Sequence, residues 1–128
     1  MKAILDTHAL LWWLDGDPTL SKTAFGFIAD ERSTILVSAA SAWDIATKHR
    51  IGKLPNAGDV ARDVAAALAA QGFQPLSVTV KDGQRAGSLP GHHRDPFDRM
   101  LIAQALIEDC QLISNDEMFD RYGVRRLW

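Results

Sequence analysis

Apolar positions along this chain follow two rhythms. Short unbroken runs of strand length, at Lys2–Leu5, 34–37, 73–78 and 111–114, alternate with stretches in which apolar residues recur every three or four positions. The first kind predicts buried strands. The second predicts helices over 8–14, 20–31, 59–71, 79–87 and 95–109, and one from a Ser38 or Ser41 cap to about Arg50. In the 20–31 stretch Leu20, Ala24, Phe27 and Ile28 share a face. Gly52 and Gly72 stand where helices stop, and Asp95 followed by Pro96 is the start signal of the clearest helix. Residues 88–94 read as a loop, 116–122 as a short helix and 124–127 as a last strand. Short buried strands alternating with helices argue for a parallel sheet covered on both faces. The expected fold class is therefore α/β, three layers deep (α/β/α), around a central parallel sheet of four or five strands.

Composition narrows the setting. At 128 residues, 47% hydrophobic and 23% charged, the chain suits one ordinary globular domain over 1–128. A lone cysteine, Cys110, excludes a disulfide scaffold and fits a reducing compartment. No apolar run approaches the ~20 residues of a membrane span. Asp6 and His8 interrupt the apolar start, so it is a poor signal peptide. A cytoplasmic protein without membrane attachment is expected. No Walker A loop, G-x-G-x-x-G or G-x-S-x-G is present, which leaves nucleotide-cofactor and serine-hydrolase chemistry without support.

The candidate chemistry is acidic. In a parallel sheet with right-handed crossovers all strand carboxyl ends share one edge, where ligands bind. Asp6 follows the first strand and Asp116 follows the fourth. Asp44 lies in the first turns of the helix after the second strand, and Asp98 in the first turn of the helix leading into the fourth. Singly, each has a local explanation. Asp6 and Asp116 can cap helices, while Asp44, three after Ser41, and Asp98, three after Asp95, hold the reciprocal position of a capping box. Jointly the four would repel one another on one rim. Oxygen ligands without cysteine suit Mg²⁺ or Mn²⁺ rather than zinc, and ions so held serve phosphodiester hydrolysis. The chain has 14 Lys and Arg against 16 Asp and Glu. With the four rim acids set aside, the remainder is mildly cationic. Lys48, Arg50, Lys53, Arg94 and Arg99, close in sequence to Asp44 and Asp98, are candidates to hold a polyanion near the metal.

At these residues the sequence resembles the PIN-domain ribonucleases, in particular the VapC-type toxins of VapBC toxin–antitoxin pairs. The similarity is carried by ILDTHALLWWL (4–14), SAASAWDIATKHRIGKL (38–54), HRDPFDRMLIAQA (93–105) and LISNDEMFDRYGV (112–124), in family order along essentially the whole chain. The resemblance implies a PIN-like fold with an acidic pocket for Mg²⁺ or Mn²⁺ and metal-dependent endoribonuclease activity on RNA. It implies a VapB-like antitoxin partner and a homodimer. Asp6, Asp98 and Asp116 match the family's first, third and fourth acids. Asp44 stands where related sequences usually carry Glu, one methylene longer, and so reaches an ion directly or through water. Thr7, Ser114 and Asp95 are expected beside the ligands. An alternative is a catalytically weak or inactive PIN-fold binding module acting through its antitoxin or RNA; a phosphatase or DNA nuclease would use the same ions.

Other features read as packing. Cys110 sits among Ile107, Leu112 and Ile113. His92, His93 and Asp95 lack the further histidine of an iron site, and a loop histidine contacting phosphate is the better reading. Of the adjacent Trp12 and Trp13, one is expected near the surface, where tryptophan suits a partner contact.

Overall fold

The computed structural model describes residues 1–128. Five strands, β1 (Lys2–Leu5), β2 (Thr34–Ser38), β3 (Gln74–Leu76), β4 (Gln111–Ile113) and β5 (Arg126–Leu127), form one sheet in the order β3-β2-β1-β4-β5. Every neighbouring pair is parallel. Helices α1 (Thr7–Asp15), α2 (Lys22–Ala29), α3 (Ala39–Arg50), α4 (Gly58–Arg62), α5 (Val64–Gln71), α6 (Val80–Ser88) and α7 (Pro96–Glu108) fill the connections. The fifth strand is formed, and the three-layer architecture is as the sequence predicts.

Side chains alternate across the strands and so build two cores. Ala3, Leu5, Ile35, Val37 and Ile113 face one side, against Ala9 and Leu10 of α1, Ile28 of α2, Ile45 of α3 and Leu68 of α5. Ile4, Leu36 and Leu112 face the other, against Leu101, Ile102 and Ala105 of α7. Cys110 is buried in that second core, as expected. The sheet edges are short strands, and Pro75 occupies β3, where a missing backbone donor is tolerated.

Three expectations are corrected. The helix expected over 59–71 is two helices. Asp63 takes φ −153°, ψ 81°, and its carboxylate caps α5 by accepting from the Ala66 N–H. An aspartate able to bond the backbone locally competes with helix continuation. The helix expected over 20–31 covers only α2, because Ser21 caps its start and Asp30 turns extended, bonding Arg32. The strand expected over 73–78 shortens to β3: Phe73 is buried just before it, and Thr79 forms a capping box with Asp82 just after.

The chain runs from β1 outward to β2 and β3, then returns to the opposite side of β1 as β4. The crevice where strand order reverses therefore lies between the carboxyl ends of β1 and β4. There Leu5 pairs with Ile113, and the Asp6 N–H continues the ladder to the Ile113 carbonyl at 3.1 Å. Asp6 and Ser114 are thus the first residues beyond the sheet, side by side.

Candidate active site

Asp6 caps α1, its Oδ1 accepting from the Ala9 N–H at 2.8 Å, and is only 7% exposed. Asp116 caps the 3-10 turn Glu117–Tyr122, accepting from the Met118 N–H at 2.9 Å, while its own N–H donates to Ser114 Oγ at 3.0 Å. For these two acids the capping explanation holds, yet one carboxylate oxygen does the capping in each case. The Ser114 hydroxyl also lies beside the Asp6 carboxylate, and both acids border the crevice.

For Asp44 and Asp98 the local explanation fails. Ser38, not Ser41, caps α3, which moves Asp44 into the second turn and leaves Ser41 Oγ buried without a partner. Asp44 is 4% exposed. The Thr7 hydroxyl donates to its Oδ2 at 2.8 Å, and Lys48 Nζ donates to the same oxygen at 3.4 Å. That ammonium lies 3.1 Å from Oδ1, but off the direction of a hydrogen bond, so Oδ1 is a buried oxygen with no donor. Asp95 caps α7 through the N–H groups of Phe97 and Asp98. Asp98 does not reciprocate; its Oδ2 sits 2.8 Å from His93 Nε2, which donates when Asp98 is ionised.

One cleft of 370 Å³ gathers Asp6, Asp44, Asp98 and Asp116, with Thr7, Lys48 and Asp95 also on its walls. Four separate elements supply the four acids. Burial raises the proton affinity of Asp6 above the ordinary 3.8; the Ser114 hydroxyl, the Ala9 N–H and His8 oppose this, and Asp116 adds to it. Asp98 is raised as well, first by burial and further by Asp95 and Asp6, against the hydrogen bond and charge of His93. Of the repulsion expected, the parts acting on Asp6 and Asp98 are present and add to the larger effect of burial.

The basic candidates divide. Lys48 is in the cleft. Arg94 is exposed and outside it, as are Arg50 and Lys53. Arg99 is a correction: its guanidinium donates to the carbonyls of Ala86, Leu89 and His93, so it ties down the 89–93 loop instead of facing the cleft. The sequence reading missed His93 as the partner of Asp98. Periodicity says nothing about a loop folding back on the helix that follows it. Trp12 and Trp13 are both half-buried, on different flanks; Trp12 stacks on His8 and lines the cleft, while Trp13 packs on Phe25 and Phe73.

No three His, Cys, Asp or Glu side chains are close enough together to hold an ion by themselves. An all-carboxylate cage is not what the geometry offers. Mg²⁺ is commonly held by one or two carboxylates, with waters and substrate oxygens completing its shell. The carboxylate-rich lining and the donorless Oδ1 of Asp44 fit that mode.

A profile of the PIN domain matches residues 3–125. Ribonuclease VapC16 of Mycobacterium tuberculosis is 47% identical over 51 residues, which are 40% of this chain and 36% of that protein, so the match spans about a third of the relative's length. In fold the chain is similar to VapBC2 from Rickettsia felis, solved bound to a DNA fragment from their promoter, with TM-score 0.72 and 16% identity over 98% of this chain and 97% of that one. It is also similar to Mycobacterium tuberculosis VapC20, described as a Sarcin-Ricin loop cleaving toxin, with TM-score 0.69 and 14% identity over 95% of each chain.

Two outcomes are expected. Raised folded-state values mean that stability is highest below the unfolded value and is lost as pH climbs from 3.8 through the folded values of Asp6 and Asp98. Asp6→Asn and Asp98→Asn should therefore raise the melting temperature in EDTA by a few degrees near pH 7.5, with the gain vanishing toward pH 4. A fall near pH 7.5 for both would mean that capping outweighs repulsion. Arg99→Met strands three carbonyls and should cost about 1–3 kcal/mol in urea unfolding, with faster amide exchange over 89–94.

Proposed function

The chain belongs to the PIN-domain family, and from that premise we propose that it is a Mg²⁺- or Mn²⁺-dependent endoribonuclease, the toxin of a cytoplasmic toxin–antitoxin pair. The observation that carries the reading is the convergence of Asp6, Asp44, Asp98 and Asp116, from four elements, on the crevice where the sheet reverses. The local identity to VapC16, itself named a ribonuclease, supports RNA as the substrate. The likeness to VapBC2 supports an antitoxin partner; pairing with a second copy of the chain belongs to the same proposal.

One or two of Asp6, Asp98 and Asp116 would ligate the ion directly, with waters completing its shell and the remaining acids, Asp44 among them, reaching it through those waters or directly. Bound there, it supplies Lewis acidity toward a phosphodiester and lowers the pKa of water. The chain's own residues do the rest. Thr7 fixes the Asp44 carboxylate through Oδ2, and Ser114 lies between Asp6 and Asp116. His93 holds one oxygen of Asp98, so that the other keeps a constant direction. A carboxylate of the cleft left outside the ion's own shell would take the proton of a water that attacks phosphorus as the bond to the 3′-oxygen breaks. Lys48 offsets part of the negative charge that would otherwise repel the scissile phosphate.

Purified protein should cleave single-stranded RNA with Mg²⁺ or Mn²⁺ and not in EDTA, and should spare DNA and small phosphoesters. Asp6→Asn and Asp98→Asn should each lower the rate by at least about a hundredfold, in line with losing a group that acts in the transition state. Wild-type protein that cleaves nothing, with both variants indistinguishable from it, would end the reading.

The engagement of Asp44 by Lys48 and Thr7 favours a second reading, in which the pocket survives as a binding module. Calorimetric titration with Mn²⁺ separates the two. An enzyme binds the ion as wild type, and Lys48→Met tightens binding severalfold by removing a competing charge. A lapsed enzyme binds weakly until Asp44→Glu restores reach, and cleaves no RNA in either form.

A further inference from the structure

A second cleft, of 530 Å³, adjoins the acidic one and differs from it in chemistry. Its walls are formed by Gly91, His92, His93, Met118, Arg121 and Tyr122, with Pro90 at the margin, and no carboxylate is among them. His93 belongs to both regions: its main body lines the second cleft, while its Nε2 bonds Asp98 in the first. Arg121 is exposed and takes part in none of the chain's ion pairs, so its charge is unspent. Gly91 adopts φ +89°, and a Cβ there would fall 2.9 Å from the Tyr122 hydroxyl. Glycine is what lets the loop lie against the tyrosine edge and keep the cleft open.

Aromatic planes together with a free guanidinium are what unstacked single-stranded RNA requires, because bases stack on Tyr, His and Arg while the backbone seeks cations. We infer that this cleft is a nucleotide subsite, taking the base and phosphate next to the scissile phosphate, with Tyr122 and His92 as stacking surfaces and Arg121 as the phosphate contact. The inference rests on the ribonuclease reading. The acidic cleft repels the backbone except where a cation intervenes; the neighbouring cleft attracts it without one. Held at both points, the strand is positioned across the His93–Asp98 hydrogen bond, and the nucleotide in the second cleft selects which phosphate reaches the acids. These are positioning residues, touching substrate away from the reacting atoms.

The test uses a fluorescein-labelled single-stranded RNA with Mn²⁺ present and Asp6→Asn as the background, since that change leaves the second cleft intact. Fluorescence anisotropy should show affinity falling about five- to tenfold for Arg121→Ala and for Tyr122→Leu, in keeping with the loss of one stacked base or phosphate contact. Tyr122→Phe, which keeps the ring, should stay within twofold. In the otherwise wild-type protein the first two changes should raise KM by a similar factor, with kcat within about twofold. If Tyr122→Leu fails to fold, Arg121→Ala at its exposed position decides alone. Unchanged affinity and KM in protein that still cleaves RNA overturn the subsite and leave the nuclease standing. RNA binding that depends on Arg121 and Tyr122, in a protein whose wild type never cleaves, keeps the subsite and overturns the nuclease.

Discussion

The burial of one carboxyl group at the end of the central strand is the constraint to which the rest of the site is fitted. Asp6 sits 7% exposed where β1 stops. Taking an ionised carboxylate out of water costs several kcal/mol unless donors replace the lost hydration. The donors present are the Ala9 N–H and the Ser114 hydroxyl. Both exist because α1 starts at Thr7, directly after Asp6, and because Leu5 is in register with Ile113. A slip of one residue between β1 and β4 would turn Ile4 and Leu5 to the wrong cores and carry Ser114 away from Asp6. Two hydrophobic cores therefore enforce the register that makes the buried acid tolerable.

The other acids show the same logic, each with a different local compensation. Asp116 spends one oxygen on a backbone cap. Asp98 leans on a histidine held from behind by Arg99, whose guanidinium grips the His93 carbonyl. Asp44 is held by a hydroxyl and an ammonium, yet keeps one oxygen with no donor. For Asp6 and Asp98 the compensation is partial: their proton affinities are raised, first by burial and further by neighbouring acids. On the proposed reading a cation bound among these acids would add to stability, since anything that binds the folded state alone stabilises it by mass action.

Much of this was legible before any coordinates, and what was not has a common cause. The inner strands β1, β2 and β4 could be read because their apolar runs are short and largely buried, and α7 because Asp95-Pro96 is a local start signal with its own physics. The placement of Asp6 and Asp116 followed from strand ends alone. Side-chain direction did not follow. Ser41-x-x-Asp44 and Thr79-x-x-Asp82 are the same spacing, yet only the second forms a capping box, because Ser38 starts α3 one turn earlier. Arg99 and Asp98 are adjacent on one helix and diverge, the arginine to a loop and the acid to the crevice. Such choices depend on which loop folds back onto which helix, which a linear pattern does not encode.

Net charge conceals the most consequential arrangement of all. A formal −2 suggests nothing about a polyanionic partner, but the charge is sorted in space. Acids occupy the reversal crevice, while the cleft beside it is lined without any. The two clefts share His93, well within the roughly 10 Å over which fields persist at ordinary ionic strength, so a polyanion at their boundary would feel both. His93 stands at the boundary, and its bond to Asp98 fixes the side of the loop that faces the second cleft. On the proposed reading a negatively charged strand is drawn toward the side that carries Arg121 and kept from the acids until a cation intervenes. The orientation of such a strand would then be biased by electrostatics before any base is read.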